Sequence, residues 1–243
     1  MEFQLDVYVG SDRPNPHVAD ICAFSMQRRA SIPLRIRALR LDHLVDAKLY
    51  WRDVDPLAST EFTYSRFLTP ALNGYAGLSM FCDNDFLWLA DVKELLEGLE
   101  TGKAVHCVKH DHRPTEETKM DGRKQTSYPR KNWSSLMIFD GTDERVRALT
   151  VEAANEGTGA FLHRLQWMPD EGIGGIPDSW NWLEGSMPKP AEGTPKAIHY
   201  TRGGPWYEDW QTADYANLWL AEKKAWEEAG SPSIEAADAL PAS

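Results

Sequence analysis

The sequence predicts an α/β protein in which a mostly parallel, Rossmann-like central sheet is flanked by helices. Three observations carry this expectation. The chain opens strand, helix, strand at the spacing of a right-handed βαβ unit. Short apolar runs then alternate with longer amphipathic ones along most of its length. No internal repeat and no linker-like stretch divides the 243 residues, so one domain over 1–229 is expected, followed by a flexible tail over 230–243 rich in Ala, Pro and Ser.

Phe3, Leu5, Val7 and Val9 alternate with polar residues until Gly10-Ser11-Asp12 breaks the run, which marks a first strand entering a loop. His17 to Arg29 carries Val18, Ile21, Cys22, Phe24 and Ser25 at helical spacing behind Pro14 and Pro16. "IPLRIRAL" alternates again and supplies the second strand. Thr60 to Leu72 has helical character up to Pro70, and "AGLSMFC" is a third strand. Leu87 to Leu99 places Leu89, Val92, Leu95, Leu96 and Leu99 on one side and predicts a helix. "KAVHCVKH" and "SSLMIFD" are the fourth and fifth strands, Asp143 to Asn155 a further helix, "KAIHYT" a late strand, and Thr212 to Ala229 a C-terminal helix.

Composition removes several classes of function. A net charge of -11 argues against a nucleic-acid binder, whose affinity depends on Lys and Arg meeting phosphates; a nucleotide ligand needs only a few donors and stays possible. No run approaches the roughly 20 apolar residues of a membrane span. The N-terminus lacks the basic start and apolar core of a signal peptide. Cys22, Cys82 and Cys107 sit in apolar stretches without CxxC spacing, which points to buried thiols in a reducing, cytoplasmic setting.

The chemistry-bearing stretch is "SMFCDNDFLWLADVKELL", where Asp83 and Asp85 stand between a strand and an amphipathic segment. Ligands of open α/β sheets collect at the carboxyl ends of strands. Hard cations such as Mg²⁺ and Mn²⁺ take carboxylate oxygens and leave positions for phosphate. D-x-D is nevertheless a common pattern, and Asp85 or Asp91 capping the next helix is the more usual account of the spacing alone.

The same stretch resembles the D-x-D segment of GT-A-fold glycosyltransferases, most closely family 8, the glycogenin and bacterial galactosyltransferase type. The resemblance runs in order from about Phe3 to Trp206. "LDVYVGSD" is similar to the family's opening strand and nucleotide loop, "FTYSRFLTPAL" to its arginine-bearing segment, and "KNWSSLMIFD" to the strand that faces the donor sugar. "IPDSWNWLEG" and "AIHYTRGGPW" resemble two late elements. The resemblance implies a GT-A-like domain that moves a hexose from a nucleotide-diphosphate sugar, with UDP as the expected nucleotide, to an unidentified carbohydrate, lipid-linked or protein acceptor, with retention. It implies Asp83, Asp85 and His199 as ligands of Mn²⁺ or Mg²⁺. Val9, Gly10, Ser11, Asp12, Arg66, Asn84, Asn132, Ser134, Arg202 and Trp206 would contact the nucleotide-sugar.

This chain departs from the family in two places. The lysine before Pro-Trp is missing from "TRGGPW", leaving Arg202 either as its substitute or as a surface residue. The family's Asp-Gln pair at the anomeric carbon has no clean match, and Gln166, Asp170 and Glu171 are the candidates. Those departures keep open a nucleotide-sugar-binding protein without turnover; a metal-dependent phosphohydrolase is a third possibility. His106, His110 and His112 share a strand face and could suggest zinc, but strand-end histidines beside a polar loop are usually solvated, and zinc sites favour combinations with Cys or Glu. The polar stretch Asp111 to Lys131, with Arg123-Lys124 and Arg130-Lys131, is either a solvated loop or a lid. Among ten tryptophans, Trp180, Trp182 and Trp206 are placed near the cleft, and Trp88 and Trp219 in the core.

Overall fold

The computed structural model describes residues 3–56, 58–111, 130–237 and 239–240. Strand β1 (Leu5–Ser11) continues through helix α1 (Pro16–Gln27) into β2 (Leu34–Arg40), which pairs parallel with β1 from Leu5↔Leu34 to Ser11↔Arg40 and leads into α2 (Leu41–Asp46). Proline at the first turn suits α1, because the missing N–H has no intrahelical partner there. Strand β3 (Leu78–Cys82) lies on the other side of β1, also parallel. Next come β6 (Leu136–Asp140), β5 (Val105–Cys107) and β7 (Ile173–Gly175), with β6 antiparallel to both neighbours. With β10 (Glu235–Ala236) on β2, the seven-stranded order is β10-β2-β1-β3-β6-β5-β7. The expected α/β fold with a mostly parallel central sheet is the one observed.

All seven residues of β1 are buried. The pleat sends Tyr8 into one apolar layer with Phe62, Phe67, Phe81 and Phe139, and sends Leu5, Val7 and Val9 into another with Ala19, Cys22 and Met80. Helices and loops cover both faces, so even polar positions of this strand are enclosed. A third apolar layer joins α1 to a separate three-stranded sheet and to α7 (Ala216–Glu228), through Val18, Ile21, Leu87, Trp182, Ile198 and Trp219.

That second sheet overturns one expectation. The helix predicted over Leu87–Leu99 begins only at α4 (Val92–Glu97), capped by Asp91, whose carboxylate accepts from Lys93 N–H at 3.0 Å. Phe86–Trp88 form strand β4, which pairs antiparallel with β9 (Ala197–His199); β8 (Trp182–Leu183) completes the sheet. The spacing of Leu89, Val92, Leu95, Leu96 and Leu99 fits a helix, but the backbone of β4 is claimed by β9 and by Ser25, whose hydroxyl accepts from Trp88 N–H at 3.0 Å.

Other helical expectations are also broken up. Between Thr60 and Leu72 there is a turn, a 3₁₀ segment over Ser65–Leu68 and a single turn α3 (Thr69–Leu72). Asp143 to Asn155 divides into a 3₁₀ segment over Glu144–Ala148 and α5 (Val151–Glu156), each with its own capping side chain, Asp143 and Thr150. Part of the segment expected to be a flexible tail from Gly230 onward makes contacts among the described residues. Ser233 and Ile234 bond the carboxylate of Asp20, Glu235–Ala236 form β10, and Ala237 is buried. Cys22, Cys82 and Cys107 are buried and unpaired. Among the described residues no helix is long and apolar enough to cross a membrane.

Candidate metal centre

Sheet direction determines which side chains meet. β3 runs parallel to β1 and ends at Cys82, which is paired with Leu136, the first residue of the antiparallel β6. The loop leaving β3 and the segment entering β6 therefore share one edge of the sheet with the carboxyl end of β1. Asp83 N–H donates to Ser135 C=O at 2.9 Å across that edge. β4 then carries Asp85 towards β9, where Phe86 is in register with His199 and Tyr200 N–H donates to Asp85 C=O at 3.0 Å.

Three ligand atoms converge as a result. His199 Nε2 lies 3.2 Å from Asp85 Oδ1 and 3.9 Å from Asp83 Oδ2, and one donor atom from each residue lies within 4.8 Å of the others. Among the described residues no other such group of three converges. The His199 ring is buried, stacked on Phe86 at 4.5 Å between centroids, and its Nδ1 lies 2.8 Å from Asn181 Oδ1. Two carboxylates and an imidazole nitrogen at this spacing suit a divalent cation of the Mn²⁺ or Mg²⁺ kind, so the residues fit the metal that the sequence implies. The capping alternative for Asp85 does not hold, because a strand follows it and Asp91 performs the capping.

Arg66 adjusts the charge of the group. Its buried guanidinium donates from Nη1 to Asp83 Oδ1 at 2.6 Å and to Ser134 C=O at 2.9 Å, and from Nε to Thr63 C=O at 3.1 Å. The ring faces of Phe62 and Phe81 lie against it at 5.2 and 4.9 Å. Gly10 permits this arrangement, since a Cβ there would meet the Phe62 ring at 2.5 Å.

A cleft of about 640 Å³ opens beside the cluster. Of the residues expected to hold a nucleotide-sugar, Asp12, Asn84, Arg202 and Trp206 line it, together with Asp85. Val9, Gly10 and Ser11 lie in β1 as buried residues, and Asp12 Oδ1 accepts from Glu61 N–H at 2.6 Å. Arg202 donates from Nη2 to the buried Glu184 at 3.0 Å and lies over Trp210. Gly185, at φ +65°, leaves room for that guanidinium, which an ideal Cβ would overlap. Asn132 adopts a left-handed conformation at φ 65° just before Ser134.

Other expected residues lie elsewhere. Gln166, Asp170 and Glu171 are exposed and do not line the cleft; Asp170 pairs with Arg130 at 2.5 Å. His106 is a core residue packed on Gly174, with Nε2 at 3.0 Å from Glu100 C=O and its pKa lowered by burial. His112 and Arg123-Lys124, including most of the stretch considered as a lid, fall outside the described residues. Trp180 and Trp182 are core residues, as are Trp88 and Trp219, and Trp206 alone of the three placed near the cleft lines it.

Two residues of the neighbourhood escaped the sequence reading. Asn181 is one. The other is His163, at the end of α6 (Gly159–His163), whose Nδ1 lies 2.9 Å from Ser134 Oγ. Burial, then the nearby Arg66 and Arg52, push its pKa down to about 3, so the ring is neutral. A lone histidine in an unremarkable helix offers no sequence signal; "WNW" did, through the resemblance of its segment.

No protein-family model matches the chain. Over 219 residues, 89% of its length, it is 48% identical to Protein CDI of Arabidopsis thaliana and covers 85% of that protein. The chain belongs to the Protein CDI family. Solved structures similar to this member of the Protein CDI family are glycosyltransferases. The bifunctional glycosyltransferase WbbM gives a TM-score of 0.61 at 15% identity, with 91% of this chain and 50% of WbbM covered. The apo form of GlyE from Streptococcus pneumoniae TIGR4 gives 0.55 at 13%, covering 95% and 64%. The galactosyltransferase LgtC, in complex with donor and acceptor sugar analogues, gives 0.53 at 12%, covering 92% and 99%. The chain thus spans half of WbbM and under two thirds of GlyE. At these identities the likeness concerns the fold, which is the GT-A-type α/β architecture.

Proposed function

We propose that this chain is a metal-dependent glycosyltransferase of the family 8 type, transferring a hexose from a nucleotide-diphosphate sugar, UDP-sugars first among the candidates, to an acceptor of unassigned class, with retention. The observation that carries the reading is the convergence of Asp83, Asp85 and His199 beside a cleft on a GT-A-type sheet.

Asp83 Oδ2, Asp85 and His199 Nε2 would hold the ion; when bound, Mn²⁺ or Mg²⁺ supplies Lewis-acid stabilisation of the departing diphosphate. Arg66 neutralises Asp83 Oδ1 and so leaves Oδ2 as the ligand atom. Asp12 and Asn84 offer polar contacts to the nucleoside from the cleft wall. Arg202, braced by Glu184, presents a guanidinium suited to phosphate where the related family uses lysine. The Asn132 side-chain NH₂ is buried with no protein partner among the described residues, outside the lining of the cleft. Ser134, held by the neutral His163, lies beside it. Three unpaired thiols accord with a cytoplasmic setting.

One observation favours a second reading, nucleotide-sugar binding without turnover: Gln166, Asp170 and Glu171 all stay outside the cleft. Incubation with UDP-glucose or UDP-galactose and Mn²⁺, followed by assay of released UDP, separates the two. UDP release that disappears in Asp85→Ala supports the transferase. Metal-dependent binding with no release across an acceptor panel supports the second reading, and absence of nucleotide binding sinks both.

A further inference from the structure

We infer that Asn181 is a positioning residue that, with Ser135, holds His199 in the tautomer whose bare Nε2 faces Asp83 and Asp85. The inference deepens the metal reading above and rests on it for its purpose, though not for its geometry. Ser135 Oγ lies 2.7 Å from Asn132 C=O, a group that only accepts, so the single hydroxyl proton is directed there. Asn181 approaches the same oxygen at 2.9 Å and must therefore present its NH₂ to it. Its Oδ1 is then the atom 2.8 Å from His199 Nδ1, and an amide oxygen at that place requires a proton on Nδ1. With Nδ1 committed to its own proton, Nε2, the nitrogen turned on the two carboxylates, is the one left to give its lone pair to a cation.

Asn181 and His199 are fully enclosed and Ser135 is buried, so bulk water offers no easy substitute for these bonds. Ser135 also accepts Asp83 N–H at 2.9 Å through its carbonyl. One residue thereby fixes the backbone of the first ligand and, through Asn181, the ring of the last. The metal-ligating imidazole is oriented by its second nitrogen, as is general for such sites.

The test uses the full chain and two readouts. Mn²⁺ affinity is measured by calorimetry for wild type, Asn181→Leu, Ser135→Ala and Asn181→Asp, with circular dichroism confirming the fold. The proton on His199 Nδ1 is read by ¹H–¹⁵N NMR on metal-free protein, as a hydrogen-bonded Nδ1–H. Asn181→Leu and Ser135→Ala are expected to weaken Mn²⁺ binding by about 10- to 100-fold and to move ring proton density towards Nε2. Asn181→Asp keeps an acceptor on Nδ1 and is expected to keep the Nδ1 proton, while its second oxygen, which cannot donate to Ser135 Oγ, draws the hydroxyl proton away from Asn132 C=O. Folded Asn181→Leu or Ser135→Ala with an unchanged tautomer overturns the inference, as does loss of the Nδ1 proton preference in Asn181→Asp. A wild type that binds neither Mn²⁺ nor Mg²⁺ overturns the metal reading instead, and the NMR assignment still decides the relay. Should Asn181→Leu fail to fold, Ser135→Ala carries the test alone.

Discussion

Asp83 divides its carboxylate between two neighbours, Arg66 on Oδ1 and the His199 side on Oδ2. Arg66→Met removes the buried cation and leaves the carboxylate with only part of its compensation. A loss of about 3 kcal/mol is expected, at the lower end for a broken buried pair, and urea denaturation measures it. Excess Mg²⁺ should restore part of that loss in Arg66→Met, because a cation at the cluster replaces the missing charge; a variant as stable as wild type without metal refutes the account. His163 gives a second residue-scale expectation. Its pKa is about 3 in the folded protein against 6.5 when free, so the unfolded chain binds more protons between those values. Its contribution is present above pH 6.5 and falls as pH drops towards 3. Between pH 7 and 5 the expected loss is on the order of 2 kcal/mol. His163→Gln should flatten the dependence of the denaturation midpoint over that range.

At the scale of elements, β4 is decisive, since three residues of strand bring Asp85 against a histidine from β9. Phe86 contributes twice, as the register partner of His199 and as the ring stacked on it. Phe86→Ala is expected to cost about 3–5 kcal/mol through the cavity it leaves and to weaken Mn²⁺ binding beyond what Phe86→Leu does, since leucine fills volume without stacking. Equal metal affinity in the two variants, measured by calorimetry, refutes the role of the ring. This element was also the one most poorly legible in the sequence. Leu89, Val92, Leu95, Leu96 and Leu99 satisfy a helical period, whereas the pairing that makes Phe86–Trp88 a strand comes from residues more than a hundred positions later. Strands β1, β2, β3 and β6 were legible because their apolar runs are bounded by Gly, Asp or Pro and lie in the middle of the sheet. The segments at Thr60–Leu72 and Asp143–Asn155 were not, because several short turns share one apolar face and mimic a continuous helix.

The whole molecule brings the candidate site together from four distant stretches, around residues 66, 83–85, 132–135 and 181–199. Two of its ligands were visible as a pair, and the third became visible only through the ordered resemblance of the segments between them. Hydrogen-bond partners such as Asn181 and His163 were illegible as such, since nothing in their local sequence states which buried group they face. The same assembly makes metal binding a property of global stability. A cation that binds the folded chain, in which Asp83, Asp85 and His199 meet, and not the unfolded one stabilises by about 2.7 kcal/mol at a hundred times its Kd. For a chain of this length that corresponds to a rise of about 5–10 °C in Tm. Thermal unfolding with and without Mn²⁺ measures the rise, and Asp85→Ala and His199→Ala should each abolish most of it. Ca²⁺ provides the contrast: it prefers six to eight oxygens at longer distances and is served poorly by two aspartates and an imidazole nitrogen. A shift with Ca²⁺ equal to that with Mn²⁺, or one that survives in both variants, would place the bound ion elsewhere on this acidic surface and remove the cluster from the argument.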